Sequence, residues 1–197
     1  RMEGKYHYVN RDKPLNKHDH IVFNLDDGKQ LRYNDTRKFG RMKLVSLDNY
    51  ANELPLSKLG PEPFYADEKK LYEKLHKCNL PIKHALLDQS IIAGIGNIYA
   101  NEICFAMGLD PYTPASKLTK KSVKELIEVA SSILNEAIKQ GGTTIHSFSA
   151  NGIDGLFQVK LKVHLQKKCS ICGGEITKEA IKGRGTYYCK KCQKRRR

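Results

Sequence analysis

"CSICGGEITKEAIKGRGTYYCKKC", from Cys169 to Cys192, decides how the rest of the chain is read. It contains two C-x-x-C pairs with sixteen residues between Cys172 and Cys189. Each pair is a short turn able to point two thiolates inward, and four thiolates complete a tetrahedral zinc shell. With Cys169, Cys172, Cys189 and Cys192 filling that shell, no position remains for a reactive water. One structural Zn2+ is therefore expected, with iron as the second choice. Between the pairs, Gly183 and Gly185 flank Arg184. Glycine lets a backbone approach a surface closely, and a guanidinium is a planar fork suited to phosphate. A solvated turn arginine is the plain alternative.

Charge is concentrated around this stretch. The 197-residue chain carries a net charge of +14. Residues 158–197 hold thirteen Lys and Arg against two Glu, a net of +11, whereas the preceding 157 residues hold 22 basic and 19 acidic, a net of +3. A basic block on a zinc module points to a polyanion, with nucleic acid ahead of an anionic membrane. For the terminal "KRRR" alone, a solubilising tail is the better reading. Mean hydropathy is −0.56. No apolar run has the length to cross a bilayer, and no secretory signal is visible. Cys78 and Cys104 lie in helical-looking segments and are expected to be buried apolar residues. Free thiols beside a zinc site suit a reducing, cytoplasmic setting.

Upstream of the zinc module the pattern changes twice. Residues 1 to about 48 read as β, with "HIVFNL" and "KQLRY" separated by the hairpin signal Asp27-Gly28 and with "RKFGRMKLVSL" as a further strand. "LGPEPF" (59–64) is a linker. Helices follow in "DEKKLYEKLHKC", "IKHALLDQSII", "NIYANEICFAMG" and "SVKELIEVASSILNEAIKQGG". In the last, apolar residues at 123, 126, 127, 130, 133, 134, 137 and 138 form one helical face, and Gly141-Gly142 stops it. That stripe is core packing. "TTIHSFSANGIDGLFQ" reads as a loop and "VKLKVHL" alternates as a strand.

Two further segments suggest anion or base contacts. In "AGIGNIYANE" a glycine-rich turn enters a helix with Asn97 as its expected N-cap, and free amides at such a start attract anions. The turn lacks the dinucleotide-binding spacing. Lys83, one helix earlier, adds a cation, so a phosphate backbone is a plausible ligand. In "DTRKFG", Arg37 and Phe39 share a face if the segment is a strand, which suits a wedge in a base stack. A salt bridge to Asp35 and a core phenylalanine are the plain alternatives. "KHDH" places His18 and His20 around Asp19, read as hydrogen bonding or phosphate contact in preference to a metal pair.

Taken together, "RMEGKY", "KHDH", "DTRKFG", "LGPEPF", "AGIGNIYANE", "GGTT" and "GRGTYYCKKCQ" occur in the order found in bacterial formamidopyrimidine-DNA glycosylases. The chain resembles that family over essentially its whole length. The resemblance implies an α+β protein. It comprises a partial antiparallel β-sandwich in residues 1–60, a helix–two-turn–helix domain in 61–157 and a C-terminal zinc ribbon in 158–197. It implies base-excision repair of oxidised purines, 8-oxoguanine and formamidopyrimidines, by a glycosylase and AP lyase that ends in β,δ-elimination. The implied partner is double-stranded DNA containing oxidised bases or abasic sites, bound by a monomer with no membrane involved.

By the same resemblance Met2, Arg37 and Phe39 match the residues that fill the gap left by a flipped base. His18 and Arg37 match DNA contacts, and Lys83 and Asn97 match phosphate contacts. Lys77 neighbours Cys78, which stands at a family lysine position. Arg184 matches an arginine assigned to the late elimination. A clamp on the departing phosphate is physically easier there than proton donation, since arginine keeps its proton. "VHL" stands where the family usually has "VYG". The family nucleophile, an N-terminal proline followed by glutamate, is not in this sequence, so the expectation is a C-terminal piece that binds DNA without cutting it. The rivals are an endonuclease VIII-type glycosylase for oxidised pyrimidines and a non-catalytic zinc-dependent DNA-binding protein. The Arg37/Phe39 wedge and the long loop at 143–157 favour the purine branch.

Overall fold

The computed structural model describes residues 4–142 and 160–196. Met2, the loop at 143–157 and the first residue of "VKLKVHL" lie outside the described residues.

Three antiparallel strands open the chain: β1 (Lys5–Asn10), β2 (Asp19–Asn24) and β3 (Lys29–Asn34), in the order β1-β3-β2. The Asp27-Gly28 signal lies in the β2–β3 turn as expected, with the Gly28 amide donating to the Leu25 carbonyl at 3.3 Å. The register sets Tyr6 opposite Tyr33, Tyr8 opposite Leu31 and Phe23 opposite Leu31. Side chains alternate across a strand, so these residues share one face of the sheet, opposite the face that carries His7, Val22 and Arg32.

The strand expected at "RKFGRMKLVSL" is not formed. Residues 37–46 have no regular structure, and Lys38 is left-handed at φ 55°. The cause is Asp35, only 2% exposed, whose carboxylate collects the loop's amides. It accepts from the amides of Arg37 and Lys38 at 3.1 Å each and from that of Gly40 at 2.7 Å. An aspartate that satisfies amides locally competes with a ladder.

The helical part contains α1 (Glu68–His76), α2 (Ile82–Leu87), α3 (Asn97–Ala106) and α4 (Lys120–Lys139). Asp67 caps α1 through the Lys70 amide at 2.8 Å, and Thr119 caps α4 through the Ser122 amide at 3.2 Å. Gly141 and Gly142, at φ 71° and 84°, end α4 as expected. Val123, Leu126, Ala130 and Leu134 of α4 close a core with Leu71, Leu75, Ile82, Leu86 and Ile103. Each such leucine or isoleucine contributes about 1.5–3 kcal/mol by leaving water. Ile138 departs from the stripe and is 67% exposed at the end of the helix.

"IKHALLDQSII" is helical only as far as Leu87. Asp88 then accepts from the Ser90 amide at 2.9 Å, and the Gln89 carboxamide spans the next turn, taking the Gly94 amide at 2.9 Å and giving to the Ile95 carbonyl at 3.1 Å. Two turns therefore join α2 to α3.

The ribbon is a hairpin of β4 (Thr177–Ile181) and β5 (Arg184–Tyr188) between the cysteine pairs. "VKLKVHL" is not a strand within the described residues; 161–165 bend and turn, with Leu165 at φ 61°. Burial alternates only across Leu161, Lys162 and Val163, after which His164 is 7% and Leu165 52% exposed. The backbone instead wraps one carboxylate. Glu102 of α3 accepts from the amides of Lys162, Val163 and His164 at 2.9, 3.1 and 2.8 Å.

Candidate nucleic-acid interface

The four sulfurs of Cys169, Cys172, Cys189 and Cys192 all lie within 4.8 Å of one another. Cys169 and Cys192 are 3.8 Å apart, and Cys172 and Cys189 are 3.6 Å apart. A tetrahedron with zinc–sulfur bonds of about 2.3 Å has edges of ~3.8 Å, so the set fits zinc. Each pair sits in a tight turn: the Gly173 amide donates to the Cys169 carbonyl at 2.9 Å, and the Gln193 amide to the Cys189 carbonyl at 2.9 Å. Among the described residues this is the one such cluster, and His18, Asp19 and His20 do not form another. Cys104 is 1% exposed and Cys78 packs against the helical core, as small apolar residues would.

Several contacts dock the ribbon on the helices. Phe105 of α3 shares an apolar cluster with Val163, Cys169, Tyr187 and Cys189. Gln193 ties the second cysteine turn to the Leu109 carbonyl at 2.8 Å. The Tyr112 hydroxyl donates to Glu179 of β4 at 2.6 Å. His164 is 7% exposed, and burial lowers its pKa to about 4. It is therefore neutral near pH 7, which leaves Nδ1 able to accept from the Asn101 amide 2.7 Å away. The basic tail is not wholly solvated, because Arg196 reaches Ser122 and lies 3.8 Å from Glu125 of α4.

Arg184 stands at the tip of this platform. Lys182 and Gly183, at φ 48° and 75°, make the two-residue turn that twists with the hairpin. Arg184 itself is exposed. Gly185, the other glycine of the trio, has ordinary backbone but an occupied carbonyl. It accepts from Lys83 Nζ at 2.7 Å and from Asn97 Nδ2 at 3.1 Å.

Lys83 faces the hairpin: it is 0% exposed, and a second of its ammonium's three donors goes to Thr186 Oγ1 at 2.8 Å. Burial pulls its pKa down to about 8. Asn97 differs from its expected place: Gly96 is the N-cap of α3 and carries no side chain, leaving Asn97 as the first helical residue. Its Nδ2 holds Gly185, while its Oδ1 is buried without a partner. An N-terminus with no side-chain cap leaves amide donors for an anion.

On the β-sheet side, Arg37 and Phe39 are both exposed, and the guanidinium lies 4.6 Å from the ring centre. They are brought together by the Asp35 loop, not by a strand. Asp35 spends its carboxylate on amides and on the Tyr33 hydroxyl at 3.1 Å. His18 joins the same loop through its backbone, its carbonyl accepting the Asp35 amide at 3.0 Å, while His20 Nε2 lies 3.0 Å from the Asp35 carbonyl. Lys77 is exposed at the end of α1. Sequence reasoning missed Glu102 and Thr186. A glutamate in the middle of α3 and a threonine in a strand carry no motif, and only the fold shows what they hold.

Three family models match in sequence: the formamidopyrimidine-DNA glycosylase N-terminal domain at residues 1–42, its H2TH domain at 59–149, and the zinc finger found in FPG and IleRS at 166–195. The formamidopyrimidine-DNA glycosylase of Bacillus licheniformis is 46% identical over 200 residues, covering 99% of this chain and 73% of that protein. That of Bacillus subtilis is 44% identical, covering 98% and 72%. A Lactococcus lactis Fpg bound to DNA containing an abasic site superposes with a TM-score of 0.90 at 41% identity, covering 99% of this chain and 73% of that one. The chain thus spans 73% and 72% of the length of these two Bacillus relatives.

Proposed function

This chain belongs to the formamidopyrimidine-DNA glycosylase family, and on that premise we propose how its residues divide the work on damaged DNA. The family's activity is base-excision repair by a DNA glycosylase and AP lyase; this chain supplies one structural zinc and the grip on damaged duplex DNA, and the family's N-terminal proline nucleophile is not in this sequence. Oxidised purines are the substrates consistent with relatives bound to DNA containing Fapy-dG, and β,δ-elimination completes the reaction.

The chain works in three parts, 1–60, 61–157 and 158–197. Arg184 clamps a phosphate beside the extruded nucleotide. Its guanidinium stays charged throughout, so in the late elimination it stabilises the departing phosphate without giving up a proton. The uncapped start of α3, led by Asn97, offers amide donors to a neighbouring phosphate. Phe39 and Arg37, with Met2, fill the space the flipped base leaves, the ring taking its stack and the guanidinium the base edges. His18 and Lys77 add contacts along the strands. The free thiols Cys78 and Cys104 suit work in the cytosol, at the chromosome.

The single observation that carries this reading is the double grip on the Gly185 carbonyl by Lys83 and Asn97. It joins the helix–two-turn–helix to the ribbon at the residue after Arg184, so the two phosphate-facing elements form one surface. The test compares anisotropy titrations of a duplex with one abasic site and the same duplex intact. Tighter binding to the damaged duplex is expected, with Phe39→Ala losing most of that preference while keeping its affinity for intact DNA. Equal preference in Phe39→Ala would remove the wedge from the account.

A further inference from the structure

Thr186, inside β5, and Lys83, at the start of α2, are each 0% exposed. Lys83 Nζ donates to the Gly185 carbonyl at 2.7 Å and to Thr186 Oγ1 at 2.8 Å. With a lone pair occupied in that way, the Thr186 hydroxyl turns its proton on the Arg184 carbonyl, 3.1 Å away. Asn97 Nδ2 adds a second donor to the Gly185 carbonyl at 3.1 Å. The two consecutive peptides that follow Arg184 are thus both held by side chains. Gly185 has no Cβ to restrict its own dihedrals, so these bonds supply the restriction.

The choice of groups is informative. An ammonium buried without an acidic partner is costly, and Lys83 makes no salt bridge among the described residues. A methionine would fill similar space without that cost. What the ammonium offers is a set of diverging donors, two of its three aimed at adjacent residues.

We propose that Lys83 and Thr186 are positioning residues for Arg184. Their buried relay fixes the two peptides after Arg184 and so sets the direction in which its guanidinium meets a DNA phosphate. The proposal rests on the reading of Arg184 as a phosphate clamp.

The test is a double-mutant cycle on the zinc-loaded full chain, with Thr186→Val, Thr186→Ser and Arg184→Ala, read on the abasic-site duplex. Thr186→Val removes the hydroxyl at nearly constant volume. It should weaken binding roughly two- to tenfold, the range of one hydrogen bond. Thr186→Ser should restore it, and in the Arg184→Ala background Thr186→Val should change nothing further. Nitrogen-15 relaxation at the Arg184 amide gives a readout that needs no DNA: more disorder in Thr186→Val, and wild-type order in Thr186→Ser, with zinc content unchanged. Equal losses in both Arg184 backgrounds would show a merely structural role and overturn the proposal. So would an Arg184 amide unmoved by Thr186→Val. If Arg184→Ala leaves DNA affinity intact while that amide still loosens on Thr186→Val, the phosphate reading has failed and the relay has not.

Discussion

A lysine ammonium buried between α2 and β5 titrates where ordinary lysines do not. Its folded pKa of about 8 lies below the ~10.4 of an unfolded lysine. Between those values the unfolded chain binds more protons, so this group's contribution to stability rises with pH across that window and is flat below it. The Tm of wild type relative to that of Lys83→Met should therefore rise from pH 8 to pH 10, whichever of the two is higher at pH 8; a difference that does not change with pH would place the ammonium in water. The sequence marks Lys83 as a cation near a helix start, which is why a phosphate contact is the natural expectation. Which way the side chain turns depends on β5, a hundred residues on, and no local pattern carries that. Asp35 makes a similar case. Next to Arg37 it suggests a salt bridge, yet the carboxylate is taken by three amides. Bonding to the Gly40 amide leads the causes that hold its pKa below the ordinary aspartate value. Asp35→Ala should erode the preference for the abasic duplex much as Phe39→Ala does, with zinc content unchanged. An unaltered preference would mean that the loop holds its shape without the carboxylate.

At the level of elements, the parts with strict spacing were legible. Two C-x-x-C pairs can meet one metal, and the period of α4 can bury only one face. The strands expected at 37–47 and 159–165 were misread for a common reason: a carboxylate, Asp35 or Glu102, gathers successive amides that a ladder would otherwise use. The burial of Leu161 and Val163 resembles a strand, but the turn around Glu102 buries His164 as well and exposes Leu165. Glu102→Gln keeps the size but removes the charge that three amides share. A loss of about 1–3 kcal/mol in unfolding free energy is expected, measurable by urea denaturation with zinc retained; no loss would show that the other docking contacts hold the ribbon without the Glu102 charge. Cys172→Ser should release zinc and unfold the ribbon while helical circular dichroism stays largely intact, since α4 packs on α1 and α3. Collapse of the helical signal as well would mean that the core depends on the metal.

Over the whole molecule, charge and geometry act at different ranges. The net +11 of residues 158–197 draws DNA in without choosing a site. In the proposed function, specific placement falls to a few groups on a surface that zinc, Glu102 and the grip on Gly185 hold together. The zinc therefore works at a distance, keeping one arginine at a fixed place relative to the start of α3. The most direct measurement is the salt dependence of binding to an abasic-site duplex for wild type and Arg184→Ala. Each phosphate contact contributes close to one unit to the slope of log affinity against log salt. The account predicts a steep slope for wild type and one shallower by about one unit for Arg184→Ala, with zinc content equal. Identical slopes in the two proteins would contradict it, for Arg184 would then hold no phosphate.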